Sequence, residues 1–200
     1  MADASRRFLD SLDDAAAVLG SLRALAPAVE RAAGLLRAAL LGGNKLLACG
    51  NGGSDADAAH LVTEIACRFD GDRAPFPAFH LGGSSATLSA VGNDYGFEQA
   101  YARGLASIAD PGDVLVAFST SGNSANVVAA LGQAREMGVH SVAMLGRGGG
   151  RAAGLAGVPL VVDSGVTARV QEAHGFLLHA LCEAVEPDLC AAGRPARRGG

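Results

Sequence analysis

Tryptophan is absent from this 200-residue chain and aromatic residues make up only 4% of it, so few large rings are available to anchor a core. The packing must be aliphatic, and helices rich in Ala, Gly, Leu and Val can approach closely. Hydrophobic residues reach 50%, enough for the full core of one domain. There is no C-x-x-C pair or finger-like spacing among Cys49, Cys67, Cys182 and Cys190. Each sits in an apolar context, which predicts reduced core thiols of a cytosolic, hence cytoplasmic, protein rather than disulfides. No apolar run reaches the roughly 18 residues of a membrane span, and Asp10, Asp13 and Asp14 interrupt the stretch where a secretory leader would be apolar. A net charge of −4 provides no basic footprint for nucleic acid. The one basic run, Arg194, Arg197 and Arg198, lies in a Gly/Ala/Pro-rich end that reads as a solvated tail.

What is present is an alternation of helical and strand patterns. Residues 4–19 and 22–41 carry apolar positions at three- and four-residue spacing and predict two amphipathic helices. Short apolar strands follow at 45–49, 78–81, 114–118, 141–145 and 159–162. Helices are expected at 55–69, 84–91, 97–109, 124–137 and 167–185, with Gly92 to Gly96 as a turn and Gly146 to Gly150 opening one further short helix. Strands alternating with helices over short connections imply parallel pairing by right-handed crossovers, hence a three-layer α/β/α sandwich around a central parallel sheet. Residues 1–188 read as a single domain and 189–200 as a flexible tail. The helices within 1–41 precede the sheet and suit pairing with another copy of the chain.

The stretch Val114 to Val128 organises the rest. A buried strand breaks into Ser119, Thr120, Ser121, Gly122, Asn123 and Ser124 before helical spacing resumes. Four hydroxyls beside a helix N-terminus suit a phosphate or another anion; a plain polar loop with Ser124 as N-cap is the blander reading. A second strand-to-helix turn, Gly50-Asn51-Gly52-Gly53-Ser54, misses the dinucleotide pattern because Asp55 stands where a third glycine belongs, and it lacks the lysine of a P-loop. Close backbone approach to a ligand at Gly52 and Gly53 remains, as does a tight turn with no ligand.

Farther along that helix, His60 and Glu64 stand at i and i+4 and share a face. Such a pair can bind zinc, act as base and partner, or be an ordinary helix ion pair. Gln171, Glu172, His174 and His179 interrupt the apolar stripe of the closing helix. Gln171 and His179 are about 12 Å apart along a straight helix, so both reach one metal only if the helix starts after Gln171, bends, or a neighbouring chain contributes.

Taken together, Gly50-Asn51-Gly52-Gly53-Ser54, Asp57-Ala58-x-His60 with Glu64, Gly92-Asn93-Asp94-Tyr95-Gly96-Phe97, the serine loop, and Gln171-Glu172-x-His174 with His179 resemble the phosphoheptose (sedoheptulose 7-phosphate) isomerases. These are members of the sugar isomerase (SIS) domain class, whose fold is flavodoxin-like. The resemblance implies interconversion of sedoheptulose 7-phosphate and D-glycero-D-manno-heptose 7-phosphate through an enediol. It implies Glu64 as base and His179 as acid, and one zinc per subunit on His60, Glu64, Gln171 and His179. Phosphate contacts fall on Ser119, Thr120, Ser121 and Ser124, and sugar contacts on Asn51, Gly52, Gly53, Asn93, Asp94 and Gln171, with Ser54, Glu64 and Arg68 beside them. It further implies a homotetramer with sites at subunit interfaces. Asp55 and Ala168 depart from the family pattern. Two other readings come from the same fold class: a non-catalytic SIS protein that binds the replication initiator, and another phosphosugar-binding SIS domain.

Overall fold

A computed structural model describes residues 2–193. Eight α-helices and five strands occur in the order α1 (Ala2–Ser21), α2 (Ala26–Leu41), β1 (Leu46–Cys49), α3 (Gly53–Ala66), β2 (Ala78–His80), α4 (Ser85–Tyr95), α5 (Ala100–Ile108), β3 (Val114–Ser119), α6 (Ala125–Glu136), β4 (His140–Leu145), α7 (Gly150–Ala153), β5 (Val158–Val161) and α8 (Thr167–Ala192). All strand pairs are parallel, and the strand order is β2-β1-β3-β4-β5.

Strand residues are apolar almost without interruption because the central strands are covered on both faces. Leu46, Ala48, Val114, Val116, Phe118, Val142 and Met144 point into one core, shared with α2, α3 and α8. Their alternates Leu47, Cys49, Leu115, Ala117, Ala143 and Leu145 point into the other, shared with α5, α6 and α7. The two-residue period thus divides one apolar run between two helical layers. Pro159 is tolerated because β5 is an edge strand.

Four expectations are corrected. Gly92 to Tyr95, read as a turn, is helical: α4 runs to Tyr95 and stops at Gly96, whose φ of +89° is the left-handed conformation that favours glycine. The second N-terminal helix begins not at Leu22 but at Ala26, after a 3-10 turn over Leu22–Leu25, with Pro27 in its first turn, where a missing N–H costs nothing. The closing helix does not end at Val185; it continues through Pro187 to Ala192, since Leu189 is fully buried and holds the last turns onto the core. Those turns enter the stretch read as a tail; Arg194, Arg197 and Arg198 lie outside the described residues. All four cysteines are free, as expected, but only Cys49 and Cys182 are core residues; Cys67 and Cys190 are exposed. No helix among the described residues is long and apolar enough to cross a membrane.

Candidate active site

The loops after β1 and β3 leave the sheet side by side. The two strands are neighbours, with Cys49 opposite Ala117, and the strand order reverses between them. Chain leaving β1 turns toward β2, chain leaving β3 turns toward β4, and a crevice opens at their carboxyl ends. Open α/β sheets bind ligands at that place.

In the serine loop Gly122 has a φ of +64°, and a Cβ there would run into the Gly149 carbonyl. Only glycine fits the bend. Buried Ser119 places its Oγ 3.1 Å from Ser124 Oγ and accepts the Gly122 N–H at 3.1 Å, while Ser121 Oγ accepts the Asn123 N–H. Ser124 occupies the N-cap position of α6, yet its side chain accepts no helix N–H. The blander reading of Ser124 as a capping residue is therefore not what forms: its hydroxyl turns toward Ser119, and although Asn126 Oδ1 accepts the Val127 N–H at 3.0 Å, no side chain from the loop itself caps the helix start, which suits an incoming anion.

The first glycine loop has the same character at the start of α3. Gly52 is the N-cap with no side chain to offer, and a Cβ on Gly53 would collide with the Gln171 amide, so α8 lies against this helix start. Ser54 is buried just inside it. Asn51, expected at the sugar, also has partners within the protein. Its amide exchanges hydrogen bonds with Asn126, 2.9 Å out and 2.8 Å back, and the Tyr101 hydroxyl donates to the Gly50 carbonyl with Asn51 Oδ1 3.2 Å away. The Asn51 side chain is thus a strut between the two loops. Burial, with Asp55 and Cys49 nearby, pushes the Tyr101 phenol up, so it stays a donor. Asn126 and Tyr101 escaped the sequence reading, although a buried tyrosine in a chain with only two of them calls for a partner. Asp55 is occupied as well: its Oδ1 accepts from His80 Nε2 at 2.7 Å. Asn93 and Asp94 stand exposed on α4 and bond to each other at 2.7 Å.

The third group comes from two helices. His60 Nε2 lies 2.9 Å from Glu64 Oε1, and His179 Nε2 lies 3.4 Å from His60 Nε2. One ligand atom from each of the three falls within 4.8 Å of the others. Ligands about 2.1 Å from a tetrahedral zinc are about 3.4 Å apart, so the spacing fits such an ion with modest adjustment, and two His with one Glu is a donor set that leaves a position open for chemistry. The His60 side chain keeps 43% of its exposure and Glu64 19%, so the cluster is reachable from outside. Gln171, expected as a fourth ligand, is on the same helix as His179, eight residues earlier. Helix α8 starts at Thr167, before Gln171, which removes one route by which Gln171 and His179 could converge. The Gln171 amide sits by Gly53, about two helical turns from His60. Arg68 donates back to the Asp70 carbonyl and stays exposed.

Two groups, half-buried Asp57 and buried His174, flank these residues. Asp57, one turn before His60, has an oxygen with no hydrogen-bond partner, and burial holds its carboxyl above the usual range against the pull of His60. His174 is fully buried, its ring edge-on to Phe118 at 5.9 Å, with neither nitrogen in a hydrogen bond. Burial lowers its pKa to about 4, only partly offset by the nearby Leu145 carbonyl, so it is a neutral core histidine.

Comparison with known proteins agrees with this geometry. The family model of the SIS domain matches residues 12–146. Phosphoheptose isomerase of Rhodospirillum rubrum is 44% identical over 96% of this chain and 100% of its own length. That of Bordetella avium is 45% identical over 92% and 95%. The solved structure of the phosphoheptose isomerase from Neisseria gonorrhoeae superimposes with a TM-score of 0.86 at 36% identity, covering 92% of this chain and 99% of that one. With its length, sheet and helical additions all matched, the chain belongs to the phosphoheptose isomerase family of SIS domain isomerases.

Proposed function

We propose that the chain is a cytoplasmic ketose–aldose isomerase acting on sedoheptulose 7-phosphate and D-glycero-D-manno-heptose 7-phosphate. The observation that carries this reading is the convergence of His60, Glu64 and His179 within 4.8 Å on helices whose starts border the crevice. Relatives named phosphoheptose isomerase along their whole length support the substrate class. The serine loop takes the phosphate, with the start of α6 adding its dipole. The Gly52-Gly53 turn and Gln171 face the sugar chain. Glu64 removes a proton from C1 of the ketose, His179 protonates the C2 carbonyl oxygen, and the resulting enediol collapses as a proton returns to C2 and the C1 hydroxyl proton leaves. His60, Glu64 and His179 would hold one zinc ion per subunit. When bound, that ion supplies Lewis-acid stabilisation of the charge developing on the substrate oxygens.

A homotetramer is part of the proposal. Phe8, Leu9 and Leu12 on α1 and Phe176 on α8 are each more than half exposed, an apolar face that a second copy would cover. The test is NMR of zinc-supplemented protein with sedoheptulose 7-phosphate in deuterated water. Appearance of the aldose with deuterium at C2 is the expected result. A folded protein that binds the sugar phosphate and yields neither product nor exchange overturns the proposal.

A further inference from the structure

Below the histidine and carboxylate cluster lies an ion pair for which the proposed reaction has no use. The Arg73 side chain has 0% exposure and Glu186 8%. Arg73 Nε donates to Glu186 Oε2 at 2.8 Å, and its two terminal nitrogens fan out to backbone: one to the Ile65 carbonyl at 3.1 Å and the Ala74 carbonyl at 3.2 Å, the other to the Glu64 carbonyl at 2.8 Å. Glu186 spends its second oxygen on the Phe69 N–H at 3.3 Å, and the guanidinium lies 5.6 Å over the Phe76 ring.

The acceptors are what matter. Glu64 and Ile65 belong to the last turn of α3, which ends at Ala66, so their carbonyls are among those that an α-helix leaves without an internal partner. A cation at a helix C-terminus is favoured by the dipole, and a planar fork can satisfy several carbonyls at once. Glu186 is seven residues after His179 on α8, two turns along the same face. Arg73 therefore ties the turn of α3 that carries Glu64 to α8 two turns beyond His179. The distance between the two helices' functional side chains depends on how far one helix has slid along the other, and one residue of slip moves a side chain by about 1.5 Å.

We propose that Arg73 and Glu186 are positioning residues: a buried clamp that sets the register of α3 against α8 and so holds His179 over His60 and Glu64. The proposal rests on the preceding reading of that cluster for its consequence in catalysis, but the register itself is measurable without substrate or metal. Supporting groups of this kind around a metal-type cluster typically alter affinity 10- to 100-fold when changed.

The experiment uses the whole chain and the variants Arg73→Lys and Glu186→Gln. Lysine keeps the charge but cannot reach Glu186 and two helix carbonyls together. Asp113→Asn serves as control, because Asp113 is a fully buried carboxylate held by the Lys45 and Asp110 N–H groups near the amino-terminal edge of the sheet. In metal-free protein, an NOE between the ring protons of His60 and His179, whose centroids are 4.9 Å apart, is expected in the wild type and in Asp113→Asn and is lost or much weakened in Arg73→Lys. Zinc affinity by chelator competition should fall about 10-fold or more in Arg73→Lys and less in Glu186→Gln, with kcat falling while KM for sedoheptulose 7-phosphate stays within about twofold, since the serine loop is untouched. An Arg73→Lys protein that melts lower but keeps the NOE and wild-type zinc affinity, or a control that loses them equally, overturns the clamp. If the wild type shows no turnover while the NOE pattern follows the variants as stated, the isomerase reading falls and the clamp stands.

Discussion

The serine loop occupies six consecutive residues, Ser119 to Ser124, whereas the His60, Glu64 and His179 cluster joins positions 119 apart in sequence. The first is held by its own backbone: the Gly122 bend and the hydrogen bonds within the loop fix it locally. The second has little local support. His60 and Glu64 stand one turn apart on α3 and His179 on α8, and what brings the second histidine to the pair is the packing of α3 on α8. A binding loop of the first kind tolerates changes elsewhere in the fold, while a cluster of the second kind feels any shift between two helices.

Three substitutions test that contrast. The largest effect is expected for Glu64→Gln, which removes the proton-accepting carboxylate from the two-helix cluster. Turnover should fall by ~10²- to 10⁴-fold while phosphate affinity holds, and unaltered kcat in a steady-state assay would remove Glu64 from its role as base. Next comes the double change Ser119→Ala with Ser124→Ala. Hydrogen bonds to a charged group are each worth about 1.5–3 kcal/mol, so losing two should weaken the apparent affinity for sugar phosphate by ~10²- to 10⁴-fold with zinc affinity preserved. If instead zinc affinity falls in step, the two regions are not independent and the contrast drawn above is wrong.

The smallest effect concerns His174, which sits on α8 between Gln171 and His179 and touches neither group. Its folded pKa of about 4 lies below the ordinary value of 6.5. The neutral ring is therefore compatible with the fold above pH 6.5, and stability is lost as pH falls from there toward 4, because the unfolded chain takes up the proton first. At pH 5 this amounts to about 2 kcal/mol. His174→Phe should flatten the fall in melting temperature between pH 6.5 and 4 relative to wild type; an unchanged slope would show that other groups carry the acid sensitivity.

Much of this was legible in the chain. The serine loop and the glycine turn lie where the sequence pattern places them, after apolar strands and before helices, because strand, turn and helix signals are all local. His60 and Glu64 could be paired by counting residues. Two boundaries differ for different reasons. Gly92 to Tyr95 carries turn formers yet continues α4 with Asn93 to Tyr95 exposed, the helix stopping only at Gly96, whereas Pro187 sits inside a helix that buried Leu189 keeps in place. The pairing of the Asn51 amide with Asn126, a partner 75 positions away, carries no local signal.

The sequence by itself determined the layered α/β class, the loop chemistry and the family, since periodicity, turn residues and motif order are properties of consecutive positions. Tertiary structure alone decided that His179 meets His60 while Gln171 goes to Gly53, that Asp55 is taken up by His80, and that Arg73 reaches across to Glu186. Those pairings depend on how far α8 slides along α3 and on which strand lies beside which, and these are set by the fit of two apolar cores rather than by any local signal.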